Sequence, residues 1–245
     1  MQIKVYFTAY NIDDFKRKWL ARSLFLILIV LGALARLFPV GDSDLSGILN
    51  YSERLMNGDI DYINLDMNEF FRLYGGNLLY SLSIIFYDFL YICVSVITAA
   101  VVIREKRTLS ADIKAGKIVG RVIVMLLFIG VLYPFLYSVT AGFTFILAFI
   151  IGLAGFFVAS YCSGEFSFGR SFGNAFRLYK NNLFTTVLNF ILFFFVFSLI
   201  ENMLTLVRQN DNYDTIFSVI YSSVAALKYF IGGRLTGILY TDSKK

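Results

Sequence analysis

Two ionisable residues stand where hydrocarbon is expected to surround them. Asp88 lies about eleven residues into the run Asn77–Ile103, in which it is the one charge, and Lys228 lies about twelve residues into Ile216–Tyr240. An ionised group at such depth costs several kcal/mol unless it is paired or faces water. The two runs point the same way, so both residues fall at similar depth. One expectation is therefore a pair, Asp88 with Lys228, across a helix bundle. The other is that Lys228 snorkels to an interface while Asp88 is neutral or faces a polar pocket with Tyr87 and Tyr91.

Other chemistry finds little support in the residue types. Histidine is absent from the 245 residues, which removes Ser-His and Cys-His nucleophiles and histidine-ligated metals. Cys93 and Cys162 sit in or beside apolar runs without CxxC spacing, and read as buried thiols. No Gly-x-Ser-x-Gly, His-Glu-x-x-His or paired carboxylates within a run occur. Gly152, Gly155, Gly232, Gly233 and Gly237 lack the Gly-Lys-Ser/Thr of a phosphate loop and mark close helix packing instead. Thr185, Thr186 and Asn189 read as hydrogen-bonding groups between helices. The expectation is a non-enzymatic protein with no cofactor and no metal.

The elements that hold these residues follow from composition. The chain is 58% apolar, 18% aromatic and 16% charged, with 27 Phe, far from the soluble average of roughly a quarter charged. One water-soluble core cannot hide so many large apolar side chains. Spread over several long uncharged runs, they describe an all-α polytopic membrane protein. The net charge of +5 is divided among separate loops, so no nucleic-acid footprint is read from it.

Six runs can span: 20–40, 77–103, 122–139, 143–161, 183–200 and 216–240. The first could also be a cleaved signal peptide, given Ala33-Leu34-Ala35, but its long leading segment and its continuation past that site favour a span. The segment 41–76 is the longest polar stretch, an outer loop with seven acids against Arg54 and Arg72. Two small helices are expected there, one over Leu45–Met56 and one opened by Asp66 and Glu69 through Leu73. Threading six spans with the amino terminus inside leaves 18 of the 22 Lys and Arg on the cytoplasmic side. Only Arg36, Arg54, Arg72 and Arg208 fall outside, so both termini are expected in the cytoplasm.

Between the fourth and fifth runs lies Ser163–Asn182. Phe168, Phe172, Phe176 and Leu178 or Tyr179 recur there at helical spacing, with Arg170, Arg177 and Lys180 between them. That pattern suits a helix lying among lipid headgroups before the chain enters the bilayer. A shift of about 60 residues sets this unit over the earlier basic loop, with Ala115 over Ala175 and Lys117 over Arg177. A parallel repeat is one account, and two similar hairpins arising by chance is another. Arg170, Phe172, Phe176, Arg177, Lys180, Lys114 and Lys117 are thus candidate contacts for anionic lipid headgroups.

The string Ser171, Phe172, Ala175, Phe176, Leu178, Lys180, Asn181, Asn182, followed by a Phe/Leu-rich span, resembles bacterial multi-pass families. These are the membrane domain attached to some glycerophosphodiester phosphodiesterases and the related YciC-like proteins. The ending Leu239-Tyr240-Thr241-Asp242 is similar to their closing Tyr-Asp element. The resemblance covers about the last 150 residues and implies a bacterial cytoplasmic membrane. It brings no catalytic residues, since no phosphodiesterase domain is present. Three functions stay open: action through lipids or partner proteins; a small permease or the membrane subunit of an exporter, with an ATPase partner; and a lipid-modifying enzyme. A polar cavity reaching the midplane would single out the second.

Overall fold

The computed structural model describes residues 3–11, 18–38, 40–42, 44–58, 67–106, 115–139, 144–207 and 214–244. Among these residues the fold is all-α. The helices are α1 (Ile3–Tyr10), α2 (Lys18–Leu37), α3 (Ser46–Met56), α4 (Met67–Lys106), α5 (Ala115–Val139), α6 (Thr144–Cys162), α7 (Phe168–Asn181), α8 (Leu183–Val207) and α9 (Asp214–Asp242). Lys114, Asp66 and residues 140–142, between two of the expected spans, lie outside the described residues.

Helix α9 is the axis of the bundle. It packs on α4, α2, α1, α6 and α8, and from Gly233 to Tyr240 every residue on it is buried. The α4–α9 crossing is closest because both helices present small residues there. A Cβ on Gly233 would sit 2.2 Å from the Ser95 carbonyl oxygen, and one on Gly237 would sit 2.8 Å from Val102 Cβ and 3.0 Å from the Ala99 oxygen. Where lipid tails are as apolar as leucine, such close backbone approach and its dispersion contacts hold helices together. Gly155, against Thr236 at 3.0 Å, plays the same part between α6 and α9. Around this seam Phe156, Phe190, Phe197 and Phe230 are fully buried.

Three described helices are long and apolar enough to cross a membrane: Met67–Lys106, Leu183–Leu206 and Ile216–Asp242. Shorter apolar stretches run over Arg22–Ala35 and Ile150–Cys162. The bundle turns a large apolar surface outward, with Leu82 and Phe86 on α4, Leu127 and Val131 on α5, and Phe195 and Leu206 on α8 all exposed. A soluble monomer rarely exposes contiguous apolar area on this scale.

Boundaries differ from the sequence reading in three places. The expected helix over Phe70–Leu73 is the opening of α4, which runs 40 residues without a break. Phe70 stacks on Tyr74 one turn later, with centroids 4.4 Å apart, a pairing that favours helix over a loop. Helix α8 passes Ile200 and continues to Val207, carrying Glu201 to within 2.8 Å of Lys228. The stretch Ala115–Arg121, set over the amphipathic unit by the repeat, belongs to the single helix α5. It lacks the Asn181-Asn182 element at which α7 gives way to α8.

Candidate functional site

A cavity of about 690 Å³ opens among α2, α4, α8 and α9. Helix α2 contributes Gly32, Ala35 and Leu37. Helix α4 contributes Tyr80, Ser83, Ile84, Tyr87, Asp88 and Tyr91, while α8 supplies Glu201. Helix α9 completes the wall with Phe217, Ser218, Tyr221, Ala225, Lys228 and Tyr229. Along α9 the lining runs from Phe217 to Tyr229, about 18 Å at 1.5 Å per residue. The cavity therefore reaches from one end of the bundle well into its middle.

Its deep end is aromatic. Tyr91 and Tyr229 stack with centroids 5.2 Å apart and planes inclined by 15°. Tyr91 reaches this position because residue 32 has no side chain: a Cβ on Gly32 would lie 2.0 Å from Tyr91 Oη. Ser222 closes the same corner from α9, at 3.1 Å from that Cβ position.

The charges sit along the walls. Lys228 Nζ donates to Glu201 Oε1 at 2.8 Å, both side chains being about one quarter exposed at 26%. Asp88 lines the same cavity beside Tyr87 and Tyr91. Sequence reasoning thus picked out two of the three ionisable residues that share this space. It missed Glu201, which directly follows the expected span 183–200. A signal was present: Glu201 precedes Asp214 by thirteen residues and Lys228 follows it by fourteen. An antiparallel hairpin brings such positions level.

At the mouth, α2 gives way to a turn at Gly41, whose φ of +89° suits glycine. The Asp42 amide then donates to the Gly76 oxygen at 3.1 Å, one turn before Tyr80. Two residues on, Asp44 accepts hydrogen bonds from the Ser46 amide at 2.8 Å and the Ser46 hydroxyl at 2.7 Å. These bonds hold its carboxyl below the ordinary carboxylate range. Both Asp42 and Asp44 are exposed.

The opposite end of the bundle carries the cationic candidates. Helix α7 buries Ser171, Asn174, Ala175, Leu178 and Tyr179, while Phe168, Phe172 and Phe176 remain 39%, 56% and 55% exposed. At about 100° per residue, the three phenylalanines form one stripe, and Arg170, Arg177 and Lys180, all exposed, form the next. One edge of the phenylalanine stripe packs back on the bundle, Phe168 edge-on against Phe128, Phe157 and Tyr161 and Phe172 against Phe157, and the rest of it faces outward. Asn174 anchors the helix, donating to Ser160 Oγ at 3.0 Å and accepting from Arg177 at 3.1 Å.

The turn before α7 is tied from two sides. Arg121 of α5 donates to the Tyr161 and Phe166 carbonyls at 3.0 and 2.6 Å and lies over the Tyr161 ring. Lys244, just past α9, pairs with Glu165. Lys117 is exposed on the first turn of α5. Elsewhere Asn189 donates to the Thr185 carbonyl of its own helix at 2.7 Å, and Cys162 is buried. No group of residues able to hold a metal occurs among the described residues. No protein-family model, curated protein or solved structure matches the chain.

Proposed function

We propose that the protein is a small membrane permease, or the membrane subunit of a transporter, that takes a polar solute into the α2/α4/α8/α9 cavity. One observation carries this reading: three ionisable side chains and five tyrosines converge on a space of about 690 Å³ within an otherwise apolar bundle. Ionisable groups at membrane depth that face a shared cavity are the usual mark of a solute path. The proposed threading is six spans, formed by α2, α4, α5, α6, α8 and α9, in a bacterial cytoplasmic membrane. The excess of Lys and Arg at the α7 end supports cytoplasmic termini. The cavity mouth then faces outward, and the α7 end is where an ATPase partner would dock. No catalytic step is assigned.

The test is accessibility. Ser83→Cys, in a chain with Cys93→Ala and Cys162→Ala, is exposed to a small neutral methanethiosulfonate in intact cells and in inverted vesicles. Labelling from the outer face is expected, as is labelling from the inner face under some condition of energisation. A thiol that neither face can reach overturns the reading. A reporter fused after Lys245 that is exported overturns the threading.

A second reading, action through anionic lipids, is favoured by the exposed Phe stripe of α7 beside Arg170, Arg177 and Lys180. A helix with that arrangement suits the headgroup region. The two readings are compatible, since a lipid-seated α7 would steady the inner end of the same bundle.

A further inference from the structure

We propose that Tyr91 is the inner gate of the cavity, and that the structure holds it shut. This rests on the reading of the cavity as a solute path and names the side chain that regulates it. A solute entering beside Tyr80 and Phe217 can leave on the far side only past the deep end. There α2, α4 and α9 contribute Gly32, Tyr91 and Tyr229. Tyr91 is buried, and its ring stacks on Tyr229 with centroids 5.2 Å apart. Its hydroxyl crosses from α4 into the notch that Gly32 leaves in α2. One side chain thus bridges all three helices where the cavity ends.

The neighbouring seams are closed by other means. Between α4 and α9 the contact is backbone: a Cβ on Gly233 or Gly237 would meet the carbonyl oxygen of Ser95 or Ala99. Between α8 and α9 the buried ring of Phe193 lies 3.3 Å from the Cβ position of Gly232. Between α2 and α4, by contrast, the close approach is made by the tip of a side chain, which moves by changing rotamer while the helices stay in place. Leu28 and Val94, buried in the same apolar cluster, form the layer behind it. With Tyr91 seated, the cavity is open at its mouth and sealed at its floor. Small gating motions of this kind are how many sites are closed off from one side.

The experiment uses the Ser83→Cys chain with Cys93→Ala and Cys162→Ala described above. Labelling by the neutral methanethiosulfonate is measured from each face without energisation, and the far-face rate is divided by the mouth-face rate of the same protein. The ratio is expected to be low in the parent. A closed gate opens in roughly 0.1–10% of molecules, so Tyr91→Ala should raise the ratio about tenfold to a thousandfold. Gly32→Ala should raise it too, because the new methyl would lie 2.0 Å from Tyr91 Oη and displace it. Adding Tyr91→Phe to Gly32→Ala removes that clash and should bring the ratio back down, a reversal that two folding defects would not produce. An unchanged ratio in Tyr91→Ala, or a Gly32→Ala ratio that Tyr91→Phe leaves high, overturns the gate. Labelling of the parent from both faces under energisation then leaves the solute-path reading intact. If neither face reaches the parent thiol, both fall.

Discussion

Arg234 on α9 is buried, at 1% exposure, and reaches across to the end of α1, where its Nε donates to the Ala9 carbonyl at 2.9 Å. Its Nη2 donates to Thr8 at 3.2 Å. Carbonyls at a helix C-terminus lack partners within the helix and carry the negative end of its dipole. A guanidinium answers both needs, and so an arginine that counts only as one more inside charge in the sequence becomes the clasp of the first helix. Tyr6 and Ala9 are buried behind it.

Replacing that clasp should release α1 without dissolving the bundle. Arg234→Met takes the guanidinium from the Ala9 carbonyl, at about 1–3 kcal/mol, while the Thr8 carbonyl keeps the Asn11 amide at 3.3 Å. Limited proteolysis should then cut within residues 3–17 far faster than in the parent, while α4 and α9 stay protected. Unchanged proteolysis would mean that apolar packing alone holds α1.

Glycine on α9 and glycine on α7 should respond oppositely to the same change. Gly233→Ala drives a methyl to 2.2 Å from the Ser95 oxygen, which is backbone and cannot rotate away. Overpacking of this kind costs about 1–3 kcal/mol or more. Nothing lies within 4 Å of a Cβ on Gly173, so Gly173→Ala should stabilise by about 0.5–1 kcal/mol through helix propensity. Unfolding in mixed micelles would read both. A neutral Gly233→Ala would show the α4–α9 crossing to be looser than described.

The Lys228–Glu201 pair should couple measurably. A double-mutant cycle with Lys228→Met and Glu201→Gln is expected to give about 1 kcal/mol, since both groups are one quarter exposed and partly screened. Glu201→Gln alone should destabilise more than the double variant, because it leaves an ammonium without its 2.8 Å carboxylate. Additive effects would show the two residues to be independent.

Helix α7 should report lipid charge. Thermal stability is expected to be higher in phosphatidylglycerol than in phosphatidylcholine nanodiscs. Replacing Arg170, Arg177 and Lys180 together by Gln should remove most of that gain, at about 1 kcal/mol per cation near an anionic surface. Phe172→Ser should weaken the protein in both lipids alike. A triple variant with the full lipid dependence would put the cationic stripe away from the headgroups.

The sequence by itself determined the helical class, the apolar runs and the amphipathic face of α7. These are local properties, set by which side chains hydrocarbon accepts and by a period of about 3.6 residues. It also singled out Asp88 and Lys228, because a charge in an apolar run is conspicuous wherever the run packs. Only the tertiary structure brought Glu201 to Lys228, opened a tyrosine-lined cavity around them and turned Arg234 onto Ala9. Each depends on which faces of α1, α2, α4, α8 and α9 meet. That choice was made by Gly32, Gly233 and Gly237, whose missing side chains decide how closely the helices approach. No spacing along one helix records which neighbour will fill the space that a glycine leaves.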